Sequence, residues 1–160
     1  MSVAFTKEDS AETAAETQLP DRPISPEPNL VTASGLAALE RQLAEARAAY
    51  AAASAVEDIN ERRRQSAIPL RDLRYFTERL HTAQLVPEGP ASGTVVFGST
   101  VTIRRDDDRE VTWRIVGEDE ADPRAGTISY VSPMAQALMG KGQGDVVSVA
   151  DRELEVVRIA

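Results

Sequence analysis

The sequence predicts an α+β protein, in which an N-terminal antiparallel helical hairpin (a coiled coil) is followed by a small antiparallel sheet domain bearing one helix. Three observations lead there. Two stretches with apolar residues at helical spacing flank a polar one. Beyond Pro87-Glu88-Gly89-Pro90 the apolar period changes to two. A Pro-rich acidic segment precedes both and buries too little to offset its ordering entropy. The expected organisation is a flexible acidic tail over residues 1–31, a hairpin over 32–86, a linker over 87–93 and the sheet domain over 94–160.

Each element has its own signal. Pro20, Pro23, Pro26 and Pro28 lie among Glu, Asp, Ser and Thr, and residues 1–33 hold six acids against two bases. Thr32 or Ser34 offers a helix cap. Leu36, Leu39, Leu43, Ala46, Tyr50 and Ala53 then recur in steps of 3, 4, 3, 4, 3, a heptad seam. A second seam runs through Leu73, Phe76, Leu80 and Ala83. Two amphipathic helices must bury their stripes on each other, and in an antiparallel pair the facing residue numbers sum to a constant. Pairing Leu36 with Ala83, Leu43 with Phe76 and Ala46 with Leu73 gives 119 each time, which centres the turn between Ile59 and Asn60. The arms are then roughly 22–25 residues, about 35 Å. Pro69 leaves two readings open: it kinks the second arm, or it marks the turn itself near 66–69.

In the sheet domain, residues 94–103 and 110–117 read as strands around the polar turn Asp106-Asp107-Asp108, and 127–131 as a third. Ser132-Pro133 opens a short helix over 134–139, with Pro in the first turn where its missing N–H is harmless. The glycine-rich stretch 140–144 lacks phosphate-loop spacing and reads as a turn before strands at 145–150 and 153–159. Trp113 and Phe97 read as core, and His81 as a helix-surface or packing residue.

Composition narrows the function. The chain has 26 acidic and 18 basic residues, a net charge of −8, no cysteine and one histidine. Absent Cys excludes a disulfide framework and Cys-ligated metals, and a single His argues against His-rich zinc sites and His-based triads. The net charge argues against nonspecific duplex DNA binding. No apolar run approaches the roughly 18 residues of a membrane span, and no signal-peptide core follows Met1. A soluble, cytoplasmic monomer without a membrane partner is expected.

The C-terminal run carries a resemblance. Val96-Phe97-Gly98-Ser99-Thr100-Val101-Thr102, Thr112-Trp113-Arg114-Ile115-Val116-Gly117-Glu118-Asp119-Glu120-Ala121-Asp122, Ile128-Ser129, Ser132-Pro133-Met134-Ala135-Gln136-Ala137-Leu138 and Gly144-Asp145-Val146-Val147 resemble the C-terminal domain of the Gre transcription factors, GreA and GreB. In the arms, the stretches 32–39 and 73–80 resemble the family's helix start and second arm. The resemblance implies an FKBP-like globular domain on the rim of bacterial RNA polymerase's secondary channel, and a coiled coil that enters the channel. Two acidic tip residues then help hold a Mg²⁺ ion shared with the polymerase active site, which cleaves the RNA 3′ end of a backtracked complex. The factor itself is no enzyme and keeps no resident metal or cofactor.

Carried over residue by residue, the resemblance places Asp58 and Glu61 on the two tip carboxylates and Asp119, Glu120, Ser132 and Pro133 on the polymerase-facing rim. Arg62, Arg63 and Arg64 beside the tip are candidates for nucleic-acid contact, including the RNA 3′ end. The hairpin is shorter than the family's by roughly one heptad per arm, about 10 Å of reach. An ungapped alignment anchored on 73–80 instead puts Ala52 and Ala55 at the acid positions. Asp58 and Glu61 also fit a plain role as helix-capping acids at a solvated turn. Three functions therefore stand: an elongation factor that regulates backtracked or paused complexes, including by transcript cleavage; a non-cleaving occupant of the channel that competes with other channel factors; and, from another class, an FKBP-like prolyl isomerase. Aromatic residues make up only 4% of the chain, which speaks against the last.

Overall fold

The computed structural model describes residues 19–89 and 92–160. The tail before Leu19 and linker residues Pro90 and Ala91 lie outside the described residues. The chain divides into two compact units, Met1–Ser25 with Leu39–His81 and Pro26–Ala38 with Thr82–Ala160.

Two helices dominate the first unit. Helix α1 spans Ala33–Ser54 and α2 spans Ile59–Thr82, 22 and 24 residues or about 33 and 36 Å. Ten of the 22 residues of α1 are alanine, the strongest helix former, so this arm is locally stable while carrying few large side chains. Its seam is as expected: Leu39, Leu43, Ala46 and Ala53 are buried. On α2 the seam residues Leu73, Phe76 and Leu80 are half-buried, and the buried residue is Arg79.

One expectation is corrected here, and one open reading is closed. The turn occupies residues 55–58, so its midpoint lies between Val56 and Glu57 rather than between Ile59 and Asn60. The cause is local: the Asp58 carboxylate accepts the Glu61 amide at 2.8 Å and its carbonyl accepts that of Arg62, which starts α2 at Ile59. Helix α2 also runs unbroken through Pro69, which excludes a turn there.

In the second unit, strands β1 (Leu30–Val31) and β2 (Gln84–Leu85) flank the helices and pair in parallel, Leu30 with Gln84 and Val31 with Leu85. The residues entering α1 thus lie beside those leaving α2. Residues assigned to the tail take part. Asn29 and Val31 are buried, and the Tyr130 hydroxyl donates to the Pro28 carbonyl. A Cβ on Gly117 would sit 2.2 Å from the Leu30 carbonyl oxygen, so glycine is what admits this segment.

The sheet comprises β3 (Thr100–Arg105), β4 (Glu110–Val116), β5 (Thr127–Ser129), β6 (Val146–Val149) and β7 (Arg152–Ile159), in the order β5-β4-β3-β7-β6. The expected strand over 94–103 begins only at Thr100, because Phe97-Gly98 forms a turn with Gly98 at φ 88°. The sheet is mixed rather than antiparallel: β5 pairs in parallel with β4, Val116 beside Ser129. Helix α3 (Pro133–Leu138) follows, with Ser132 as its cap. The core gathers Val101, Ile103, Ile115, Leu138 and Val156, all fully buried, with Trp113 and Phe97 partly buried against them. Among the described residues, no helix is long and apolar enough to cross a membrane.

Candidate functional site

Two places hold the candidate residues. The first is the turn between the arms. Asp58 closes the N-terminus of α2, where the first amides point outward without helical partners. Glu61 faces the other way along the helix: Arg64 donates to its Oε2 at 2.9 Å and Gln65 to its Oε1 at 2.9 Å. These contacts, Gln65 first and then Arg64, hold the Glu61 carboxyl below its ordinary pKa of 4.5. The pair follows the Asp-x-x-Glu spacing of a capping box, although the Glu61 side chain serves its own helix rather than the cap.

The three arginines do not form one patch. Arg62 turns back to the loop, its Nε donating to the Val56 carbonyl at 2.6 Å and its guanidinium to that of Glu57 at 3.1 Å. It thereby satisfies two carbonyls of the turn itself. Arg64 pairs with Glu61. Arg63 is exposed and has no hydrogen-bond or ion-pair partner among the described residues. Ile59 beside it is 59% exposed, an apolar side chain left in solvent at the turn.

One oxygen of Asp58 and both of Glu61 already accept hydrogen bonds from this chain, whereas Mg²⁺ demands near-octahedral oxygen ligation. No group of three or more His, Cys, Asp or Glu side chains that could hold a metal exists among the described residues.

The second place is one end of the sheet. Because β4 and β5 run parallel, the loop leaving β4 with Asp119 and Glu120 and the segment leaving β5 with Ser132 and Pro133 emerge at the same end. An antiparallel β5 would have put them at opposite ends, so the corrected topology is what brings these four residues to one end. Their roles differ. Pro133 is exposed at the first turn of α3, and the Ser132 hydroxyl accepts the Ala135 amide.

Glu120 is engaged inward, on the start of α1. The Thr32 hydroxyl lies 2.7 Å from Glu120 Oε2 and the Ser34 hydroxyl 3.1 Å from Oε1. Thr32 also caps the helix, its Oγ1 accepting the Gly35 amide at 3.0 Å and its carbonyl that of Leu36. A carboxylate at a helix N-terminus is favoured by the aligned peptide dipoles. A side chain at position 35 would meet Glu120 at 3.1 Å, so Gly35 leaves the carboxylate room. The sequence offers Thr32 or Ser34 as the cap, but nothing in it ties Thr32 to a residue 88 positions away.

The family model described as "Transcription elongation factor, GreA/GreB, C-term" matches residues 90–160. Transcription elongation factor GreA of Azorhizobium caulinodans is 34% identical over 152 residues, covering 91% of this chain and 90% of that protein. The chain belongs to the GreA/GreB family. Identity is higher over shorter stretches: GreA of Alkalilimnicola ehrlichii is 44% identical over 88 residues, 51% of this chain and 56% of that protein. Over such stretches the chain spans about half the length of the curated relatives it matches. Gfh1, the GreA factor homolog 1 of Thermus thermophilus, aligns at 23% identity over 84% of this chain and 99% of that one, with a TM-score of 0.39, a likeness too distant to bear on the turn. The Gre stretch thus includes the sheet end with Asp119, Glu120, Ser132 and Pro133.

Proposed function

We propose that this Gre-family chain binds bacterial RNA polymerase at its secondary channel and acts there as a non-cleaving occupant that competes with other channel factors. One observation carries the reading. The two carboxylates that would have to face a shared Mg²⁺ are committed to their own helix, Asp58 as its cap and Glu61 as the acceptor for Arg64 and Gln65. Arms of 22 and 24 residues, short by the family's measure, add to it.

In this reading the chain is a regulator of polymerase and not an enzyme. Pro133, Ser132 and Asp119 supply the rim contact of a domain that is FKBP-like in kind, as family membership suggests. Glu120 holds the first turn of α1 for them, and Arg63 is the arginine available to the RNA 3′ end. The cleaving alternative has one observation in its favour: Asp58 and Glu61 both lie at the turn, their side chains open to solvent. Stalled, backtracked polymerase incubated with the protein tests the choice. The expected result is saturable binding with no protein-dependent shortening of the RNA. Shortened RNA overturns the non-cleaving reading, and absence of binding overturns the polymerase reading.

A further inference from the structure

The proline-rich segment ahead of α1 has a hold on the second arm that its composition does not suggest. The Arg22 guanidinium lies 3.8 Å from the centre of the Tyr75 ring and 5.2 Å from that of Phe76. The two rings meet edge to face at 5.2 Å. The same guanidinium approaches Asp72 at 3.4 Å, and Asp21 pairs in the opposite sense with Arg74 at 3.3 Å. An Asp-Arg dipeptide thus faces an Asp and an Arg two positions apart on α2, with two aromatic rings beneath the arginine. Arg combines a planar face for stacking with a fork of donors for a carboxylate, so this set of groups suits arginine in particular.

The position along α2 matters as much as the chemistry. Pro69 has no N–H, so the Gln65 carbonyl lacks its helical donor and the ladder is weakened there. The contacts with Arg22 and Asp21 fall at residues 72–76, on the turn that follows this gap. Pro20 and Pro23 on either side of the dipeptide restrict the segment's own backbone, which lowers the entropy lost when it docks.

We propose that residues 19–25 are a strap, and that Asp72, Tyr75 and Phe76 form an arginine-reading box whose occupant is Arg22 of the same chain. The strap fixes the half of α2 that follows Pro69 and leaves the half carrying Arg62–Arg64 to the hairpin alone. The proline then separates a held segment from an unheld one. The hold is polar and stacking, since Leu19 and Ile24 remain 37% and 43% exposed, so it can be released without unfolding either helix.

Hydrogen–deuterium exchange on the full chain tests this. Arg22→Ala is expected to speed amide exchange at residues 70–78 by about threefold to thirtyfold, the combined scale of an exposed cation–π contact and an ion pair, with residues 60–68 unchanged. Asp21→Arg should accelerate the same region, and adding Arg74→Asp should return it toward the wild-type rate. Unchanged exchange at 70–78 in Arg22→Ala overturns the strap. Equal acceleration at 60–68 would instead mean a general loss of hairpin stability and also overturns it. Failure of the Asp21/Arg74 reversal to recover removes the pairing.

Discussion

In the sheet unit, buried residues from five strands and α3, together with Val95 and Tyr130 outside them, form one contiguous core among the described residues. In the arms, the buried apolar residues of α1 from Leu39 onward are Leu39, Leu43, Ala46 and Ala53, two of them no larger than a methyl group. The sheet is held by long-range packing, with β3 paired on one side to β4 and on the other to β7. The arms rest on helix propensity, on caps and on polar contacts at their ends. Deletions in the sheet core should therefore be felt most, and contacts at the arm ends should govern where the helices start.

The largest expected effect is Ile115→Ala. Its side chain is fully buried, and removing three carbons should cost about 3–4 kcal/mol. Leu43→Ala in the thinner arm seam should cost about 2 kcal/mol. The chain has one tryptophan, Trp113 on β4, so its fluorescence follows the sheet while helical circular dichroism follows the arms. Equal costs in denaturant would break the comparison.

Gly117→Ala sharpens it at the second level. The new Cβ meets backbone rather than a yielding side chain, so the segment carrying Leu30 must shift, at about 1–3 kcal/mol. A shift of the Leu30 and Val31 amide signals without loss of the sheet's own would confirm where the strain goes. Thr32→Ala should cost about 1 kcal/mol, seen as faster exchange confined to the first turn of α1. Exchange spreading along all of α1 would show that the cap does more than begin the helix.

The smallest effect concerns Glu61. Its pKa lies below the ordinary value, so its contribution to the first turn of α2 is present above that value and fades as pH falls through the lowered one. Carboxyl carbon shifts followed through an acid titration measure this directly. Gln65→Ala should raise the Glu61 pKa, since Gln65 is the larger cause. A midpoint unmoved by that change would remove the assigned partner.

Much of this architecture is legible in the chain because its signals are local. The 3-4 steps through Leu36 to Ala53 and Leu73 to Ala83 place both helices, and the change of period after Pro90 places the sheet. Strand direction is different in kind. The short run Thr127–Ser129 has the same pattern whether it runs parallel or antiparallel to β4, and only the long return through residues 117–126 hints at the parallel choice. A pairing sum misplaces the turn because it weighs two whole seams, whereas Asp58, with Glu61 three residues on, starts the helix locally. At the turn the residue types Asp, Glu and Arg are readable, but not whether each faces its own helix or solvent. The strap is hidden for a related reason, since a hold made of Arg, Asp and aromatic rings leaves no apolar period in the segment that docks.

In the function proposed above, the turn occupies a polymerase channel without supplying metal ligands. Its most direct test is to titrate the protein into backtracked RNA polymerase whose transcript is being cleaved with the help of a GreA relative. The account predicts that cleavage declines toward the unassisted rate as the protein is added and the relative is displaced. Cleavage that persists at saturating protein, or quickens, would contradict it.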